Sequence, residues 1–82
     1  MSQLFPLSSL PCSESAVISS YDAGCEAEER LRDLGFVESS PVRCVFSSMS
    51  GDPRAYRIKD TVIALRRSDA HSIMCCMDGG AL

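Results

Sequence analysis

The sequence predicts a mainly β domain in which five short strands curl into a small closed or half-closed barrel, with one short helix inserted after the first strand. Three observations carry that expectation. Apolar residues recur with a period of two in several short segments bounded by Gly, Pro, Asp and Ser. Between the first two of these segments, the stretch from Cys25 to Gly35 changes to a helical period. With 82 residues the chain affords one core, and curling the strands hides the sheet edges while burying one alternate face.

Leu7 and Leu10, set among Ser and Pro, predict a turn pinned to the core by two leucines. Val17 and Ile18 place the first strand at Ser15–Tyr21. Asp22-Ala-Gly ends it. Ala27, Leu31 and Leu34 then form one apolar helix stripe, with Glu26, Glu28 and Glu29 in the first turn, Arg30 and Arg32 later and Gly35 as the stop. Val42 and Cys44 turn inward from a second strand, and Ser47–Pro53 is a loop closed by Gly51-Asp52-Pro53. A hairpin follows. Tyr56, Ile58, Ile63 and Leu65 make its greasy face, Arg57, Lys59 and Arg66 its basic face, and Asp60-Thr61 its turn. After a break at Ser68-Asp69-Ala70, Ile73 and Cys75 continue the inward parity in a last strand. Residues 1–76 are assigned to the barrel and 77–82 to a flexible tail.

Composition narrows the function classes. Hydrophobic residues make up 45% and charged residues 23%, which suits a folded globule rather than a disordered chain. No apolar run is long enough to span a bilayer, and the N-terminus lacks a secretory pattern, so a cytoplasmic location without membrane insertion is expected. Five cysteines without framework spacing read as free thiols, with Cys44 and Cys75 in the core. Residues 1–38 carry seven acids against Arg30 and Arg32, whereas residues 39–70 carry six bases against three acids. Such polarity can orient a small domain on a charged partner.

Catalytic chemistry finds little support. No Cys-x-x-Cys, His-x-x-x-His or Glu-x-x-His spacing offers two metal ligands on one face, which leaves His71 and Cys76 as candidates for weak divalent-metal binding and no resident cofactor expected. A Cys–His nucleophile built from Cys75 or Cys76 with His71 has no oxyanion loop and no third orienting group. A small barrel binding nucleic acid is the rival class. A pI of about 4.9, no Trp and no aromatic row among the arginines argue against it.

The ordered set Leu31-Arg-Asp-Leu-Gly35, Val42-Arg-Cys-Val45, Gly51-Asp-Pro53 and Ile63-Ala-Leu-Arg-Arg-Ser-Asp-Ala70 resembles the ferrous iron transport protein A (FeoA) family. Ser13 and Ser39 stand where that family usually has Gly, Glu38 where it has Pro, and Asp60 where it has a turn Gly. The resemblance implies an SH3-like barrel acting as a small cytoplasmic accessory of the membrane GTPase that imports ferrous iron, with no enzymatic activity of its own. It also implies kinship with the C-terminal barrel of iron-dependent repressors, a metal-binding regulatory alternative, although no DNA-reading helix pair accompanies it here. The expected docking region is Gly51, Asp52, Pro53, Arg54, Arg57, Arg66 and Arg67. Arg66 or Arg67 presented to a GTPase would stabilise phosphoryl-transfer charge, but solvation, or a pair between Arg67 and Asp69, is the commoner fate of such arginines.

Overall fold

A computed structural model describes residues 3–77. Alternating side chains lay down one antiparallel sheet from strands β1 (Phe5–Pro6), β2 (Ser15–Tyr21), β3 (Pro41–Ser47), β4 (Arg54–Ile58), β5 (Thr61–Leu65) and β6 (Ile73–Met77), in the order β1-β6-β2-β3-β4-β5. Helix α1 (Glu28–Leu34) follows β2, and a second short helix, α2 (Arg67–His71), joins β5 to β6. The inward parity read from the sequence holds. Val42, Cys44, Tyr56, Ile58, Leu65, Ile73 and Cys75 lie in the core, and Ile63, half-buried, packs against it.

Several elements differ from expectation. Phe5–Pro6 adds a sixth strand by pairing with Cys75 and Met74; two residues containing Pro carry no periodic signal. Ser68–Ala70 is not a simple break but part of α2, which turns Ala70 into the core. Met77, assigned to the tail, ends β6, and the rest of that tail lies outside the described residues. The hairpin turn is Lys59-Asp60 rather than Asp60-Thr61, with Lys59 at φ 56° as the first turn residue. In α1 only Leu31 is fully buried, while Leu34 is 42% exposed. The chain reverses at Gly35, whose φ of 114° only glycine adopts readily, and Phe36 takes the core position instead.

Ser13 (φ 78°) and Ser39 (φ 71°) adopt the left-handed conformation that a glycine would take. The turns are therefore kept although the residue has changed. Ser39 is held there by its N–H donating to the Ile18 carbonyl at 2.8 Å, and the Ser40 carbonyl accepts from Ile18 at 3.0 Å.

An electrostatic clasp holds α1 to the sheet. Arg32 donates to both carboxylate oxygens of Glu38, at 2.6 and 2.8 Å, and to Glu28 at 2.8 Å, while its guanidinium stacks 4.8 Å from the Tyr21 ring centre. The Tyr21 hydroxyl, kept protonated by burial, donates to the Phe36 carbonyl at 2.6 Å. The Arg32 hydrogen bond pulls the Glu38 carboxyl from its ordinary 4.5 down to about 2. A depressed acid stabilises the fold fully above its unfolded value and loses that contribution as pH falls through its folded value. Glu38→Gln is accordingly expected to unfold at lower urea than the parent at pH 7, with the two midpoints converging as pH drops from 4.5 toward about 2; a gap independent of pH contradicts the clasp.

Candidate docking face and comparison with known proteins

The sheet is open between its edge strands β1 and β5, and the N-terminal segment closes it. A 3-10 turn at Leu7–Ser9 brings Leu7 and Leu10 fully into the core. Its backbone carbonyls are then met by β4: Arg54 Nη1 donates to the Ser8 carbonyl at 2.8 Å, and the Tyr56 hydroxyl faces the Leu7 carbonyl at 3.5 Å. Arg54 shares the inward parity of Tyr56 and Ile58, so it belongs to this closure and not to the basic outer face.

The loop at Gly51-Asp52-Pro53 is likewise tied down. Gly51 (φ 84°) donates its N–H to the Ser48 carbonyl at 2.9 Å, and Asp52 Oδ1 accepts from the Arg67 N–H at 2.9 Å, anchoring the loop to the start of α2. Asp52, Arg66, Arg67, Ser68 and His71 line a shallow depression there. Arg67 does not pair with Asp69, whose carboxylate is taken by Arg30 at 3.1 Å. Among the described residues neither Arg66 nor Arg67 makes an ion pair.

The outer face of β3, β4 and β5 holds the remaining candidates. Arg57 sits opposite Arg43 on one side and Val62 on the other, and the next row joins Phe46, Ala55 and Ala64. A register shift between Cys44 and Phe46 turns both Val45 and Phe46 outward, 38% and 61% exposed, and Val62 is 53% exposed. Phe46 is not legible as an outward residue in the sequence, because strict alternation sends it inward with Cys44. The adjacent pair Val45-Phe46 was the available signal for a bulge.

The thiols and the histidine do not assemble a reactive site. Burial raises the Cys44 thiol and pushes Cys75 up to about 12, so both stay protonated at neutral pH. Cys76 lies against the Val17 carbonyl at 3.8 Å, while His71 Nδ1 lies 3.3 Å from Ser8 Oγ at the end of α2. Among the described residues no three of His, Cys, Asp and Glu gather to hold a metal ion.

The FeoA domain model matches residues 5–76. The chain belongs to the FeoA family. It is 36% identical to Stenotrophomonas maltophilia FeoA, covering 87% of this chain and 88% of that one with a TM-score of 0.77. That relative was solved with zinc and is described as a prokaryotic SH3 domain protein connected with ferrous iron transport. A FeoA-like protein from Clostridium acetobutylicum is 18% identical over 100% of this chain and 95% of its own, with a TM-score of 0.88. A manganese-dependent transcriptional repressor shares the fold at 12% identity and a TM-score of 0.82, over 94% of this chain and 43% of the repressor. No curated protein matches the chain. The SH3-like barrel and the family read from the sequence are therefore borne out. The described residues of this chain do not build a resident metal site for the zinc of its relative.

The arginines divide by role. Arg54→Ala is expected to cost about 1–2 kcal/mol in urea unfolding, the loss of a charged hydrogen bond to a carbonyl that closes the core. Arg57→Ala and Arg66→Ala are expected to stay within about 0.5 kcal/mol. Equal costs at all three positions contradict this division.

Proposed function

We propose that this FeoA-family chain is a non-enzymatic cytoplasmic accessory of ferrous iron uptake, binding the cytoplasmic part of the membrane iron transporter that carries a GTPase domain. The observation that supports this reading is the outer face of β3–β5. There Arg43 and Arg57 stand directly opposite each other, which costs stability in an isolated sheet, beside exposed Val45, Phe46 and Val62. Opposed like charges next to apolar side chains suit an acidic partner surface with an apolar centre. Arg66 extends the same face, and the Gly51-Asp52-Pro53 loop with Arg67 borders it.

No helix among the described residues is long and apolar enough to cross a membrane, and the family's connection with iron transport supplies the partner class. The protonated core thiols and the lone histidine support an accessory role over catalysis. His71 offers one exposed metal ligand, enough for weak divalent binding and no more. Arg66 and Arg67 act in docking first under this reading, since α2 holds the Arg67 backbone in place through Asp52.

In a pull-down with the transporter's cytoplasmic region, the parent protein is expected to be retained and Arg57→Glu/Arg66→Glu to lose at least about tenfold in affinity, as opposed rim and core charges should. Equal retention of the double variant moves the contact to another face.

A further inference from the structure

The edge strand β5 carries a self-complementary pairing surface. Among the described residues its only ladder partner is β4, in the register Ile58↔Thr61, Arg57↔Val62, Tyr56↔Ile63, Ala55↔Ala64 and Arg54↔Leu65. A two-residue hairpin loop makes its closing pair, here Ile58 and Thr61, a hydrogen-bonded one. Alternation then directs the N–H and C=O groups of Ile63 and Leu65 to β4 as well, and those of Val62 and Ala64 away from it. Among the described residues, no turn, cap or side-chain hydrogen bond takes up the Val62 or Ala64 backbone. The strand Thr61-Val-Ile-Ala-Leu65 has no charge and no Pro, and both Val62 and Ala64 are exposed, so none of the usual protections of an edge is present within it.

We propose that β5 pairs antiparallel with β5 of a second copy of this chain, about a twofold axis at Ile63. In that register Val62 exchanges backbone hydrogen bonds with Ala64 of the second copy and Ala64 with its Val62, so every free group of the strand is used. All of Thr61–Leu65 is paired, and the greasy faces of both sheets stay on the same side. The flanking charges agree: Asp60 falls opposite Arg66 of the second copy, and Arg66 opposite its Asp60. Arg66 is extended (φ −70°, ψ 152°), so it continues the strand direction as this requires. Shifting the register by two residues in either direction removes the Asp60–Arg66 pairing and leaves part of the strand unpaired. Asp60 is the turn residue adjoining the strand, and one position further out, at Lys59 and Arg67, the two chains diverge.

Five paired residues bury less than a permanent interface, so association is weak and depends on concentration. In sedimentation from about 10 μM to about 1 mM, the mean mass is expected to rise toward that of a dimer. Hydrogen exchange at the Val62 and Ala64 amides should slow over the same range, while the already bonded Ile63 amide changes little. Asp60→Lys and Arg66→Glu, both at exposed positions outside the core, should each weaken association about tenfold, and the double swap Asp60→Lys/Arg66→Glu should restore it. A chain that stays monomeric at about 1 mM overturns the proposal. So does a double swap no better than the single variants, or protection of Val62 and Ala64 that appears only on adding the transporter's cytoplasmic region, which assigns the edge to a different protein.

Discussion

The fold depends on closing a sheet that cannot close itself. Among the described residues six short strands bury one face, yet no ladder joins β1 to β5, and the exposed end of the core is filled by Leu7 and Leu10 from the turn between β1 and β2. A chain this small has little stability to spare, so those two leucines need fixed backbone around them. Arg54 supplies it through the Ser8 carbonyl, Tyr56 packs beneath the same turn, and α2 abuts it with His71 beside Ser8. Asp52 in turn fixes the start of α2. Arg54, Tyr56 and Asp52 at this end are occupied in holding the barrel shut.

That division of labour leaves the outer face of β3–β5 uncommitted. Arg43, Arg57 and Arg66 contribute no ion pair among the described residues, and the bulge at Val45 turns two apolar side chains to solvent. A surface that retains like charges side by side and exposes Phe46 is not arranged for the stability of an isolated domain. The face of β3–β5 and the edge of β5 are contiguous, so self-pairing at the edge and docking on the face would lie side by side. Arg66 borders both, so under the two proposals the assembly of two copies would be coupled to the charge offered to a transporter.

Much of this was legible in the sequence, and what was missed has a common cause. Ser15–Tyr21 was located to the residue because β-branched side chains stand between small residues and an Asp-Ala-Gly stop. Gly35 ended the helix as expected, and the inward residues followed from period two. Information of this kind is local. The strand at Phe5–Pro6, the capping of α2 by Asp52 and the inward role of Arg54 depend on partners 15 to 70 residues away. The bulge had to be seen before Phe46 could be placed on the outer face. Ser13 and Ser39 give the reverse lesson, since tertiary hydrogen bonds impose a left-handed turn that the residue type alone disfavours.

The most direct test of the account is to map, amide by amide in NMR titration, where the transporter's cytoplasmic region touches this chain. Shifts concentrated on Val45, Phe46, Arg57 and Val62, with the Leu7–Leu10 turn unmoved, are the predicted result. Shifts centred on the Arg32–Glu38 clasp or on the Leu7–Ser9 closure would contradict it, because those residues would then be serving the partner and not the fold.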